Sequence, residues 1–374
     1  MKKYTILGDL ITPAKVVRCG KGNYPVLSMT MHDGIVLQSD RFKKSLASAD
    51  QSDYKVVEYG KLVIGFPIDE GVLYIQKVAP EGIMSPAYST WDVDTTRINP
   101  DFLELCLHSP QSMQYYKDKL RSTTARRRSI PTADLLALRI RTPDMESQLE
   151  AVAVARKVDE MIAIRHAQAT LLDQLVKSRF IELFGDPMTN PKGFPCYTVG
   201  EVIDFQGGSQ PDKKYFEYES TPDNIRLIQI RDYKSDKYIT YIPRAMAKRF
   251  CTADDIMVGR YGPPIFQILK GIEGSFNVAL MKATPKMGNR EFARQFLKQD
   301  CLLEYLEGLS KRTAGQDGIQ MDKLKAYPFP YPPIELQEQF AAFVEQVDKS
   351  KLAVQQGLKE LEILKKSLMQ QYFG

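Results

Sequence analysis

The sequence predicts two mixed α/β segments alternating with two long amphipathic helices, duplicated with pseudo-two-fold internal symmetry. Three observations predict this. The stretch 143–185 recurs at 332–374 without a gap. Each copy spaces its apolar residues at helical intervals. The intervening segments, 1–142 and 186–331, mix short strand-like apolar runs with helical ones. With 374 residues, 43% apolar and 26% charged, the chain is an ordinary globular one with room for several cores.

Twelve pairs are identical in the repeat: Pro143/Pro332, Glu146/Glu335, Gln148/Gln337, Ala153/Ala342, Val158/Val347, Asp159/Asp348, Leu172/Leu361, Leu175/Leu364, Lys177/Lys366, Ser178/Ser367, Phe184/Phe373 and Gly185/Gly374. Two unrelated amphipathic helices share a period by accident, but not also a Pro-x-x-Glu-x-Gln start and a Phe-Gly end. The repeat continues weakly outside the arms. Tyr4-Thr5 matches Tyr197-Thr198, Gly8 to Ile11 matches Gly200 to Ile203, and Leu62 to Gly65 resembles Ile256 to Gly259. Gly82 to Ala87 lies on Gly274 to Ala279, and Phe102 and Leu107 fall on Phe292 and Leu297.

In chain order, 61–66 and 71–78 read as strands and 100–120 as helix. Pro143 opens the first arm, since proline suits a helix start. Val158, Ile162, Ala169, Leu172, Val176 and Leu183 form its stripe, with Arg165 and Arg179 interrupting. Gly185 and Pro187 end it, inside a Pro/Gly-rich linker over 185–195. In the second segment 225–230 and 256–258 read as strands and 290–309 as helix. Pro332-Pro333 opens the second arm. Its stripe is Phe340, Val344, Val347, Val354, Leu358, Leu361, Leu368 and Tyr372, interrupted by Lys351 and Lys365, with Leu364 close by. These are imperfect heptads, adequate for one helix pairing with the other. Leu172, Leu175, Leu361, Leu364 and Leu368 are the expected coiled-coil core.

Recognisable catalytic motifs are missing. The sequence contains no Gly-x-x-x-x-Gly-Lys-Ser/Thr loop, no Gly-x-Ser-x-Gly and no His-Glu-x-x-His. Five scattered cysteines and three isolated histidines predict neither a disulfide framework nor a metal site, and point to a reducing compartment. We read no membrane span and no signal peptide. Ser85-Pro86-Ala87-Tyr88 loosely imitates an amino-methyltransferase motif but reads better as a strand-end turn. Pro222-Asp223 with Asp232-Tyr233-Lys234 faintly imitates a nuclease pattern, and two surface loops are the simpler account. The net charge of +5 divides unevenly: +5 on 1–142 and +3 on 186–331, against −2 and −1 on the arms. Basic globular segments on acidic arms lean towards nucleic acid.

Leu171 to Pro187, followed by Asn190-Pro191-Lys192-Gly193, and Pro332 to Gln339 resemble the conserved helical regions of the specificity subunit of type I restriction–modification systems. Gly207-Gly208-Ser209-Gln210-Pro211 resembles the Gly-Gly-Thr-Pro loop of that family's recognition domains, with Ser-Gln in place of Thr. The resemblance implies α/β target-recognition domains at 1–142 and 186–331, separated by long antiparallel coiled-coil helices at 143–185 and 332–374. It implies a non-catalytic, cytoplasmic prokaryotic chain that reads a bipartite, asymmetric site in double-stranded DNA. Its partners would be two adenine-methyltransferase subunits and restriction/translocase subunits. S-adenosylmethionine, ATP and magnesium would belong to those partners, with no cofactor or metal in this chain. A related two-subunit type II specificity chain and a coiled-coil interaction scaffold are the alternatives.

Basic loop residues hold phosphates, and forked Arg or Gln side chains read bases. Arg126, Arg127 and Arg128 in the first segment have counterparts in Lys311, Arg312 and Gln316 of the second. Lys43 and Lys44 are further phosphate candidates. In the second segment Ser209, Gln210, Lys213 and Lys214 follow a Gly-Gly pair that lets backbone approach DNA closely. Arg231, Arg260 and Tyr261 follow strand-like runs and complete the set.

Overall fold

A computed structural model describes residues 3–31, 33–41, 50–120, 128–261, 265–308 and 319–374, and the backbone of 309–310. The chain divides into two compact units: residues 1–167 with 355–374, and residues 168–354. Lys43, Lys44, Arg126, Arg127, Lys311, Arg312 and Gln316 lie outside the described residues.

Each unit repeats one plan. In the first, a four-stranded antiparallel sheet runs in the order Ile11–Pro13, Ser89–Val93, Leu62–Ile64, Leu73–Ile75. In the second, the same order is Ile203–Gly207, Leu280–Pro285, Ile256–Gly259, Ile268–Lys270. A two-stranded ribbon accompanies each, Tyr4–Ile6 with Arg139–Arg141 and Cys196–Thr198 with Pro328–Pro330. Smaller sheets complete the units. The first has Val17–Arg18, Lys55–Glu58 and Glu81–Met84, and the pair Leu27–Met29 with Ile35–Leu37; the second has Tyr241–Pro243, Asn224–Ile228, Gly274–Phe276 and Phe250–Cys251. The sequence matches of Leu62 with Ile256, and of Gly82 with Gly274, thus fall on equivalent strands.

The central strands show why these short runs are apolar at every position. Successive side chains on a strand point to opposite faces. Leu62 and Ile64 enter the main core of the first unit, while Val63 enters a second, smaller one with Leu27, Val57 and Met84. Ile256 and Val258 enter the main core of the second unit, while Met257 joins Ile228, Phe276 and Leu280 on the other face. A strand covered on both faces has no polar side to show.

The expected helices at 100–120 and 290–309 are each broken in two. Pro100–Leu107 and Pro110–Lys119 are separate because Ser109 caps the second and Pro110 occupies its first turn. Arg290–Leu297 and Asp300–Ser310 repeat the break. Proline removes a backbone donor and is tolerated only at a helix start.

The arm helices span Met145–Phe184 and Ile334–Leu368, the latter ending in a wider turn over Met369–Phe373. They run antiparallel within each unit. In the first unit Asp159 pairs with Lys365 at 2.6 Å; in the second Asp173 pairs with Lys351 at 2.5 Å. The lysines that interrupted the stripe are therefore matched by carboxylates on the other helix. The Phe-Gly ends have equivalent partners: Phe184 packs on Phe292 at 4.8 Å in the second unit, and Phe373 on Phe102 at 5.1 Å in the first. Gly185 closes the first arm at φ 75°, donating its N–H to Ile181 O at 2.8 Å. A Cβ there would meet Pro191 at 2.4 Å.

Two of the five expected core leucines are corrected. Leu175 and Leu364 are 47% and 45% exposed. Val176 is buried next to the first, in the cluster that holds Phe180, Phe340 and Val344. Leu361 is buried, and Leu172 and Leu368 are half-buried. One position is about 100° on a helix of 3.6 residues per turn, enough to move a side chain off the seam. Among the described residues, no helix is long and apolar enough to cross a membrane.

Candidate nucleic-acid interface

In the second unit, four strand ends meet at one rim. Backbone hydrogen bonds lace them together: Gly208 N to Leu280 O at 3.1 Å, Ser209 N to Phe276 O at 3.0 Å, Asn277 N to Ile228 O at 3.0 Å, and Arg260 N to Ala279 O at 2.9 Å. The loop after Ile203–Gly207, the turn after Asn224–Ile228, the exit of Ile256–Gly259 and the Phe276–Leu280 turn are thereby brought side by side. Ser209, Gln210, Arg231, Arg260 and Tyr261, separated by up to 52 positions in sequence, sit on these segments.

The glycine pair explains the loop. A Cβ on Gly208 would lie 2.0 Å from Asn277 O and 2.8 Å from Phe276 O, whereas one on Gly207 would meet only an Arg260 nitrogen at 3.8 Å. Gly208 is the position of close backbone approach, and what approaches it is the neighbouring turn. Gln210 Oε1 accepts from Asn277 Nδ2 at 3.4 Å. Arg260 lies 5.2 Å from the centre of the exposed Tyr261 ring, and its Nη1 donates to Val278 O at 3.5 Å. A guanidinium stacked on an exposed ring is pre-organised, and both faces suit nucleic acid.

Arg231 stands on the turn Ile230–Tyr233. Its Nη2 donates to Thr240 Oγ1 at 3.1 Å, and Gln229 Nε2 donates to the same oxygen at 3.1 Å. Its guanidinium is 5.9 Å from the Tyr238 ring centre. Arg226 reaches Asp232 at 3.4 Å and Asp236 at 3.0 Å, bracing the turns behind. Burial raises the Asp232 carboxyl above its ordinary range, opposed by the Gln229 N–H and by Arg226. Burial likewise pushes the Tyr233 phenol up. Lys213 and Lys214 lie on an exposed turn beyond the loop, with Lys214 5.0 Å from the Tyr215 ring centre.

The nuclease-like pattern is not assembled. Asp223 precedes the strand Asn224–Ile228, and Asp232 follows its far end, buried against Arg226. Ser85 to Tyr88 forms the turn between Glu81–Met84 and Ser89–Val93, closed by Tyr88 N to Ser85 O at 3.2 Å. Arg128 is engaged inside the first unit: its Nε donates to Asp69 at 2.9 Å and its Nη2 pairs with Glu70. Gln229, Thr240 and Asn277 are the rim residues that sequence reasoning missed. Asn277 lay within its reach, because the repeat already aligned 274–279 with 82–87. Gln229 and Thr240 carried no local signal.

A family model described as the type I restriction modification DNA specificity domain matches residues 191–363. One solved structure, described under the assembly and conformational transition of the type I restriction–modification system, is 16% identical with a TM-score of 0.61. That match covers 99% of this chain and 97% of the other. The type I restriction–modification S subunit from M. genitalium is 15% identical with a TM-score of 0.53, covering 100% of this chain and 96% of the other. The structural matches carry the fold over the whole length, and the domain match covers the rim and the second arm as far as residue 363. Residues 191–363 thus match the type I restriction modification DNA specificity domain, in a chain whose fold over its whole length is that of the two solved structures.

Proposed function

We propose that this subunit reads a bipartite, asymmetric DNA site, one half with each unit, and that its arms dock two adenine-methyltransferase subunits with restriction subunits beyond. One observation carries the reading: a single sheet-and-helix plan occurs twice in one chain, with strand order and arm attachment repeated. Duplicated plan with diverged loops supports two half-sites of different sequence. In the second unit Ser209, Gln210, Arg231, Arg260 and Tyr261 contact bases or the adjacent backbone, and Lys213 and Lys214 hold phosphates. In the first unit Arg126 and Arg127 are proposed as contacts, with Lys43 and Lys44; Lys311, Arg312 and Gln316 take the matching place in the second. Methyl transfer, with S-adenosylmethionine, and ATP-driven work, with magnesium, belong to the partner subunits. The test is a genome-wide map of N6-methyladenine with and without the gene. A split motif with a fixed gap, lost on deletion, supports the reading; an unchanged map in cells expressing the partners overturns it.

Residue roles separate by their signatures. Arg260→Ala and Arg231→Ala are each expected to cost about 1–3 kcal/mol and to relax the motif at positions of one half-site only. Lys213→Ala and Lys214→Ala should weaken binding evenly across sequences and lower the salt slope by about one per phosphate contact. Binding titrations of the complex at several salt concentrations distinguish the two. An even loss from Arg260→Ala would remove it from base reading.

The exposed leucines bear on docking. Leu175 and Leu364 are an identical pair of the repeat, and both are exposed, one in each unit. A surface presented twice fits two copies of one partner. Leu175→Glu and Leu364→Glu are each expected to keep the fold and to lower bound methyltransferase from two copies to one. Native mass spectrometry reads this directly, and unchanged stoichiometry in both variants would move the docking site elsewhere.

A further inference from the structure

Gln148 and Gln337 are another identical pair, and both are fully buried in the first turn of their arms. In the first unit Gln148 Oε1 accepts the Asn99 N–H at 2.8 Å, and Nε2 donates to Pro143 O at 2.9 Å and Arg97 O at 3.3 Å. In the second, Gln337 Oε1 accepts the Asn289 N–H at 2.8 Å, and Nε2 donates to Pro332 O at 2.8 Å. Asn99 and Asn289 are the caps of the helices Pro100–Leu107 and Arg290–Leu297. Their side chains accept from Phe102 N at 3.1 Å and Phe292 N at 3.2 Å. Each unit therefore holds the same relay, from the proline at the arm entry, through the glutamine, to the cap of a helix whose phenylalanine sits in the core.

The chemistry requires a primary amide. One group must accept from a cap N–H and donate to a carbonyl one turn away. A carboxylate lacks the donor, and a thioether has no donor and only a weak acceptor. Apolar packing such as Phe184 on Phe292 also joins arm to segment, and the ion pairs between them are exposed: Arg156 with Asp101 at 2.5 Å, Lys177 with Asp300 at 2.7 Å and Lys270 with Asp348 at 2.7 Å. Such pairs bend and are screened by salt. A buried, doubly bonded amide is directional and has no water to replace its partners.

We propose that Gln148 and Gln337 are positioning residues that set the angle at which each arm leaves its own recognition segment, and through it the gap tolerated between half-sites. This rests on the bipartite reading above. The test uses the complex with its methyltransferase partners on a DNA library whose gap varies one base pair at a time. Gln148→Met and Gln337→Met keep side-chain volume and lose the bonds. Each is expected to leave the half-site bases unchanged and to reduce discrimination against neighbouring gaps roughly tenfold, the scale of one or two lost buried hydrogen bonds. Unchanged gap preference in both Met variants would overturn the proposal. So would an even loss at all gaps that follows thermal stability, which is the mark of a purely structural role. A wild-type complex with no split motif would sink the bipartite reading and this inference with it, a result distinct from either.

Discussion

On the proposed function, Gly208→Ala is expected to abolish methylation directed by this chain, whereas Gly207→Ala, one residue earlier, is expected to be tolerated. The contrast comes from backbone. An alanine Cβ at 208 would stand 2.0 Å from Asn277 O, while at 207 the nearest group is the end of the Arg260 side chain at 3.8 Å. A flexible guanidinium gives way, but a carbonyl held in a laced turn does not. Relieving the clash must open the bonds from Gly208 to Leu280 and from Ser209 to Phe276, which carry the loop against the Asn277 turn. Overpacking of this kind costs about 1–3 kcal/mol, occasionally more. The whole second unit need not unfold for the rim to lose its shape. Methylation assays on the assembled complex, with a melting curve beside each, check the pair. Full activity in Gly208→Ala would mean that the loop does not sit against Asn277 when it works.

Phe180→Ala is expected to be the most damaging substitution in the arms. Its ring meets Phe184 at 4.9 Å, Phe292 at 5.6 Å and Phe340 at 5.6 Å, and the side chain is buried in the main core of the second unit. Phenylalanine-to-alanine changes at such sites cost about 3–5 kcal/mol. For a unit of this size that lowers the melting temperature by on the order of 10 °C. Leu175→Ala on the same helix is expected to stay within about 0.5 kcal/mol, because its side chain is largely in water. Calorimetry of the two variants decides whether the seam runs through the phenylalanines. Equal losses would restore Leu175 to the core.

The repeat was legible because it is written in identity and spacing, and both survive without knowledge of contacts. The Pro-x-x-Glu-x-Gln start and the Phe-Gly end marked the arm boundaries for a physical reason. Gln148 and Gln337 bind equivalent caps, and Phe184 and Phe373 pack on equivalent helices. The lysines that broke the stripe looked like defects. Their carboxylate partners lie on the other arm, far away in sequence and across the seam in space.

The sequence alone determined the duplicated plan, the two arms and their ends, the mixed α/β character of both segments, and the family resemblance. The stripe itself was legible, since Val158, Val176, Phe340, Val344, Val347 and Leu361 are all buried; only the tertiary structure decided that Leu175 and Leu364 lie off it, and which residues share a rim. Neighbouring positions on a helix differ by about 100°, so a stripe of Leu175 and Val176 fits the sequence from either side, and the facing helix makes the choice. The rim is held by backbone hydrogen bonds between residues up to 72 apart in sequence, Gly208 to Leu280 being the longest reach. No local periodicity encodes such a bond, because it exists only once the strands have paired.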